Sequence, residues 1–148
     1  MNKLWKWFFV IGLMTSFTLC TAGVQAAALW QGKVMREYRG VKLDMKQADV
    51  QAKLGKPSQG SEGADEYKLE GEDMMTVRYE NGAVTAIQLL FFDQKKAPSF
   101  NEVIGDAKIE ENDSGRKLAR KVLDAEKFWV SMSQNKDATM TTITIKKM

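Results

Sequence analysis

The chain has 148 residues, of which 44% are hydrophobic and 28% charged, and a formal net charge of +3. These values predict one ordinary globular domain. Histidine is absent and Cys20 is the only cysteine, which excludes Ser-His-Asp and Cys-His catalytic centres, zinc sites of the familiar Cys/His kinds and a disulfide within the chain.

Residues 1–28 have the pattern of a signal peptide. Two lysines precede an apolar run, and a tract of small residues follows it. We expect cleavage after Ala26 or Ala28, with Ala28 favoured, and therefore a periplasmic or secreted mature chain over residues 29–148.

Two other interpretations of this segment stay open. An uncleaved N-terminal helix could anchor the chain, because about 20 apolar residues can span a bilayer. Lipidation at Cys20 is disfavoured, since Leu19 stands where a lipobox has a small residue.

The basic character of the chain belongs largely to this segment. Removing residues 1–28 takes Lys3 and Lys6 and no acid from 22 basic and 19 acidic residues, which leaves a net charge of +1. A nearly balanced charge does not favour nucleic acid as a partner.

A helix is predicted between Asp44 and Gly55. Asp44 is a suitable N-cap, and Gln47 stands three residues later at the capping-box position. Gly55 permits a left-handed C-terminal residue, and Pro57 prevents continuation. The apolar side of this helix consists of Ala48, Val50 and Leu54, and Met45 can extend it.

A flexible linker over residues 58–66 and then a β-hairpin are predicted next. The hairpin has strands over 74–79 and 83–89 around Asn81-Gly82. A three-residue loop with Gly82 left-handed gives the cleaner core face, so we predict that loop. The predicted core face consists of Met75, Val77, Tyr79, Thr85, Ile87 and Leu89.

The second half of the chain repeats this order in weaker form. Ser99 to Gly105 predict a short helix, with Glu102 at the capping-box position. Later alternating segments around Phe128 and Met140 resemble the first hairpin, so residues 40–92 and 98–147 are possible sub-repeats. The apolar spacing in residues 114–123 favours a helix, with a strand as the alternative.

One pattern in the first half resembles a known family. It comprises Gly40-x4-Met45-x4-Val50-x3-Leu54-Gly55-x-Pro57, then Tyr67, then Asn81-Gly82-x-Val84-x-x-Ile87. Over residues 40–91 the chain resembles the BamE/SmpA/OmlA family of small envelope proteins, whose fold is related to that of the β-lactamase-inhibitor protein. The resemblance implies an α+β domain of short helices packed on an antiparallel sheet, and a binding role without catalysis.

Three groups of side chains are candidate sites. The acidic stretch is interpreted as a solvated loop rather than an acid/base pair; it consists of Glu62, Asp65, Glu66, Glu70, Glu72 and Asp73. A basic group on one side of the predicted helix could touch anionic lipid or an acidic partner; it consists of Arg116, Lys117, Arg120 and Lys121. The aromatic candidates for a protein interface are Tyr67, Phe91, Phe92 and Trp129.

Strand alternation adds a condition to the aromatic group. It cannot place both Phe91 and Phe92, or both Phe128 and Trp129, on one face of a sheet. We therefore expect one residue of each pair to be exposed or under a helix.

Together these patterns predict a non-catalytic binding or scaffold protein that engages another cell-envelope protein and uses no metal or cofactor. A secreted inhibitor of an extracellular enzyme is the alternative within the same class. A carboxylate-dependent glycan hydrolase is the alternative from a different class, and it depends on the acidic stretch.

Overall fold

A computed structural model describes residues 33–61 and 63–148. The predicted signal peptide, both cleavage sites and Cys20 lie outside the described residues. The strands are β1 (Glu37–Tyr38), β2 (Val41–Lys42), β3 (Gln59–Ser61), β4 (Ala64–Lys68), β5 (Met74–Glu80), β6 (Ala83–Phe91), β7 (Glu110–Glu111), β8 (Lys117–Leu123), β9 (Phe128–Gln134) and β10 (Thr141–Lys147). The helices are α1 (Gln47–Leu54) and α2 (Phe100–Ile104), with a single 3-10 turn at Asp124–Glu126.

Eight of the strands form one antiparallel sheet in the order β3-β4-β5-β6-β10-β9-β8-β7. Each helix precedes four strands that follow one another as neighbours, and the last strands of the two sets, β6 and β10, pair in the middle of the sheet. β1 and β2 form a separate two-stranded sheet.

The predicted α+β class, with short helices packed on an antiparallel sheet, is wrong. The described residues are predominantly β, and the two helices have only eight and five residues. The predicted linker over 58–66 contains β3 and the start of β4, while the segment predicted as a helix over 114–123 contains β8. In both segments, pairing with a neighbouring strand overrides the local preference of the sequence.

The first helix begins three residues later than Asp44. Lys46 occupies the N-cap position, and Asp44 instead forms an ion pair with Lys147. The backbone N–H of Gln47 donates to the carbonyl of Gly82 at 3.0 Å, so the turn between β5 and β6 holds the start of α1. The predicted end at Gly55 is confirmed, because its N–H donates to the carbonyl of Gln51 and its φ is 82°. Its ψ of −163° differs from that of the predicted left-handed residue.

The second helix has the predicted cap. Glu102 Oε2 accepts hydrogen bonds from the backbone N–H of Ser99 at 2.7 Å and from its Oγ at 2.8 Å. This capping box stabilises the N-terminus of α2. A five-residue helix needs both such a cap and packing on the sheet in order to form.

The predicted three-residue loop between β5 and β6 is wrong, although most of the predicted core face of the hairpin is present. The loop has two residues, Asn81 and Gly82, with φ of 52° and 75°. A β-bulge then shifts the register between Arg78 and Tyr79, so that Tyr79 faces Val84. The bulge restores the predicted pairs Val77↔Ile87 and Met75↔Leu89, and these four side chains are fully buried. The prediction is wrong for Thr85, which is only half-buried, because Val84 takes its place opposite Tyr79.

The hydrophobic core lies on one face of the sheet. Val50 from α1, and Val103 and Ile104 from α2, are fully buried there. The sheet contributes inward side chains from its central strands, among them Met75, Val77, Ile87, Leu89, Val130, Met132, Ile143 and Ile145. The helices therefore cover one face, and alternation directs the remaining side chains of these strands to the other.

Candidate functional site

The second face of the eight-stranded sheet is not covered by either helix. Strand register aligns two rows of side chains across this face. One row consists of Thr76, Gln88, Thr144, Ser131 and Arg120, and the other of Arg78, Ala86, Lys146, Trp129 and Val122. We call these two rows, with Leu118, the open face.

The open face carries an apolar cluster at the end formed by β8 and β9. Leu118 and Val122 are 46% and 44% exposed. Between them, the guanidinium carbon of Arg120 lies 4.3 Å from the ring centroid of Trp129. Alternation along β8 places these side chains together, because Ala119, the residue between Leu118 and Arg120, points into the core. A cation–π pair flanked by exposed aliphatic side chains is typical of a contact surface for another molecule.

The charge of the open face is basic. Arg78, Arg120 and Lys146 belong to its rows. Two acids lie at its margins, because Glu66 of β4 is opposite Thr76 and Glu110 of β7 is opposite Leu118. Beside the cluster, Arg116 Nη2 donates to Ser133 Oγ at 2.9 Å, which directs a further cation towards the same face. The open face therefore combines apolar contact area with positive charge.

The predicted aromatic candidates do not come together. Tyr67 and Phe91 are buried in the core, whereas Phe92 is 43% exposed and Trp129 is half-buried on the open face. The expectation that each neighbouring pair would be divided is confirmed, because Phe91 and Phe128 are the buried members. Of the four candidates, Trp129 is the one that belongs to the open face.

The predicted basic group is divided between two faces. The helix that would have gathered it does not form, and β8 alternates instead. Arg116 and Arg120 are directed to the open face, while Lys121 lies on the other side of the strand and pairs with Asp106. The interpretation of Arg116, Lys117, Arg120 and Lys121 as one side of a helix is therefore wrong.

The acidic stretch was predicted to be a solvated loop, and this prediction is wrong for Asp65 and Asp73, which are buried. Asp65 is 2% exposed and its Oδ2 accepts hydrogen bonds from Gln51 Nε2 at 3.0 Å and from the Tyr79 hydroxyl at 3.1 Å. Longer hydrogen bonds come from Gln47 Nε2 at 3.3 Å and the Tyr67 hydroxyl at 3.4 Å. This carboxylate joins α1 to β4 and β5 within the core.

Burial is the main cause of altered titration in this cluster. Desolvation, together with the hydrogen bond and the negative charge of Asp65, raises the pKa of Tyr79 far above its ordinary value. Desolvation and the charge of Asp65 raise the pKa of Tyr67 in the same direction. Both phenols therefore remain protonated donors at neutral pH. The spacing of Asp65 and Tyr67, two residues apart, could have indicated this cluster, because such residues share one face of a strand.

The other acidic residues do not converge with Asp65. Asp73 is also buried, and its Oδ1 accepts the backbone N–H of Phe92 at 2.8 Å. Glu66 points away from Asp65, and Glu70 and Glu72 are exposed in the turn before β5. Glu62 lies outside the described residues. Within residues 33–61 and 63–148, no group of three acidic side chains is placed to hold a metal ion.

Comparison with known proteins identifies a fold relative. No protein-family model matches the sequence, and no curated protein matches it. The structure is similar to a crystal structure from Bacillus subtilis subsp. subtilis str. 168 described as a DUF4309 family protein, YjgB. The TM-score is 0.51 at 13% identity, over 82% of this chain and 92% of that chain. At this identity the likeness concerns the fold alone.

In the part of the chain that the structure describes, neither helix is long and apolar enough to cross a membrane.

Proposed function

We propose that this chain is a non-catalytic binding or scaffold protein of the periplasm or the secreted fraction, and that the open face engages another cell-envelope protein. The observation that carries the proposal is the exposed cluster of Leu118, Val122 and the Arg120–Trp129 pair on a sheet face that no described element covers.

The chemistry of the cluster suits a protein partner. Trp and Arg are enriched at the energetic centres of protein interfaces, where they are surrounded by side chains that exclude water. Leu118 and Val122 provide such a border at little entropic cost, because the strand already fixes their backbone. The positive charge of Arg78 and Lys146 on the same face would favour an acidic surface on the partner.

The N-terminal sequence supports the proposed periplasmic or secreted location. The lysines, apolar run and small residues of 1–28 have the order of a signal peptide. The resemblance of residues 40–91 to small envelope proteins agrees with a partner in the same compartment.

Site-specific cross-linking in intact cells tests the proposal. A photo-reactive amino acid at Leu118, on the open face, is expected to cross-link to an envelope protein. The matched control is the same amino acid at Asp49, which is exposed on α1 at the covered side of the sheet. We expect Trp129→Ala to lower the Leu118 cross-link about tenfold, since the loss of a central Trp typically costs more than 1 kcal/mol. Equal products from both positions, or products insensitive to Trp129→Ala, would contradict it.

A further inference from the structure

Apolar side chains lie on both sides of the uncovered sheet face, and not only in the cluster on β8 and β9. Leu90 of β6 is opposite Met74 of β5, and both are half-buried. Alternation directs Leu90 to the same side of the sheet as Gln88, which belongs to the open face. The exposed Phe92 follows β6 directly. We call Met74, Leu90 and Phe92 the β6 border, and Leu118 and Val122 the β8 border.

The two borders are separated by shorter side chains. The outward positions of β10 and β9 between them are Thr142, Thr144, Ser131 and Ser133. Because β6 and β8 are three strand spacings apart, their backbones are about 14 Å apart. An α-helix with its side chains is about 10–12 Å in diameter, so one helix fits between the borders. The opposite face of the same sheet is covered by helices.

Cations surround the space between the borders. They are Arg78, Arg116, Arg120 and Lys146. In the part of the chain that the structure describes, none of these four forms an ion pair. Their positive charge exceeds that of the two marginal acids, Glu66 and Glu110, and an acidic occupant would therefore be attracted.

We propose that the open face binds one acidic amphipathic helix of its partner protein. The inference rests on the proposed protein-binding function and names the kind of segment that is bound. The apolar side of the helix contacts both borders, and its carboxylates lie near the surrounding cations. The distance along β10 from Met140 to Lys146 is about 20 Å, which is the length of a helix of about 14 residues.

The size and charge of the open face oppose pairing with a second copy of this chain. The five strands from β5 to β8 are together about 19 Å wide, so a length of about 20 Å gives a flat area of about 400 Å². A stable interface between two folded proteins needs about 800 Å² from each partner. A second copy would also bring the arginines of two open faces together.

Peptide binding to the full chain tests the charge and the amphipathic pattern. The probe is a peptide of about 14 residues, with leucine at helical spacing and glutamate at most other positions. One control peptide has the same composition with the leucines scrambled, and a second has lysine in place of glutamate. By calorimetry we expect the probe to bind at least about tenfold more tightly than either control. Equal binding of either control would overturn the proposal.

A bulky side chain between the borders tests the location. Thr144→Trp fills the space above β10 and points away from the core, and we expect it to weaken binding of the probe about tenfold. The matched control is Gln59→Trp, an exposed position four strands away in the same row of the sheet, which should leave binding within about threefold. Equal affinities for the two variants would overturn the proposal.

A second blocking variant guards against misfolding of the first. Circular dichroism verifies that each variant retains the sheet. If Thr144→Trp does not, Ser131→Trp places the same bulk on the neighbouring strand, opposite Thr144, and is expected to weaken binding to the same extent.

The outcomes separate this inference from the proposed function. Leu118 cross-links that depend on Trp129 but persist in Thr144→Trp would overturn the helix and still support the open face. Cross-links that are insensitive to Trp129→Ala would contradict the proposed function itself. Concentration-dependent dimerisation that Thr144→Trp abolishes would show that the open face binds a second copy, and it would also overturn the inference.

Discussion

Asp65 and Glu66 are neighbours in the acidic stretch, but their side chains point to opposite faces of the sheet. Asp65 points into the core and accepts four hydrogen bonds, whereas Glu66 points to the other face of the sheet. The period of two along β4 predicts this division once the strand is known. The division was not predicted, because glycine and serine around residues 58–66 indicate a loop, in which side chains do not alternate between two faces.

The buried carboxylate gives a prediction about stability. Asp65→Ala leaves the hydroxyl of Tyr79 and the amide of Gln51 without their acceptor, and unsatisfied buried donors are costly. We expect the free energy of unfolding to fall by about 3 kcal/mol, measured by urea denaturation at pH 7. Glu66→Ala is the matched control and should change it by less than about 0.5 kcal/mol. Similar losses in the two variants would show that the Asp65 hydrogen bonds contribute little.

Among the helices and strands, the sequence correctly predicted those features that depend on residues close together in the chain. The cap of α2 by Ser99 and Glu102 and the glycine end of α1 were correctly predicted, because each depends on residues within one turn. β8 was not, because the spacing of Leu118 and Val122 fits a helix as well as a strand. Its pairing with β9, seven residues in register, decides the outcome.

The β5–β6 turn gives a prediction at this scale. Gly82 has φ 75° and a Cβ added there would meet nothing within 4 Å, so a substitution would strain the backbone without a steric clash. We expect Gly82→Ala to lower the free energy of unfolding by about 1 kcal/mol. Gly82→Asn is the control and should cost less, since asparagine adopts left-handed conformations more readily. Equal costs for Ala and Asn would contradict a conformational origin.

For the whole molecule, the hardest feature to predict was the union of eight strands in one sheet. The central pairing joins β6 to β10, more than fifty residues apart in the chain, with Leu89 opposite Ile143. No local pattern specifies such a partner, although the alternation of apolar residues correctly identified the core faces of both strands. The open face could not be predicted for the same reason, because Leu118, Trp129 and Arg78 share a face only after four separate strand pairings.

Acid sensitivity follows from three exposed carboxylates, one in the local cap of α2 and two in contacts between distant parts of the chain. Hydrogen bonds from Ser99, Lys121 and Arg36 lower the pKa values of their partners. These partners are Glu102, Asp106 and Glu126. A carboxyl with a lower pKa in the folded than in the unfolded chain stabilises the fold above its unfolded value, and this contribution disappears as the pH falls through its folded value. The ordinary values are 4.5 for Glu and 3.8 for Asp, so the loss should begin near pH 5 and continue below pH 4.

Urea denaturation between pH 7 and pH 3 measures this dependence. We expect the denaturation midpoint to decrease on acidification, and to decrease less in the triple variant Glu102→Gln, Asp106→Asn, Glu126→Gln, which has already lost the three charges at pH 7. The matched control replaces Glu70, Glu72 and Glu80 with glutamine, since these three acids are exposed on turns and at a strand end. A control that flattens the pH profile as much as the triple variant would assign acid sensitivity to total charge rather than to these three contacts.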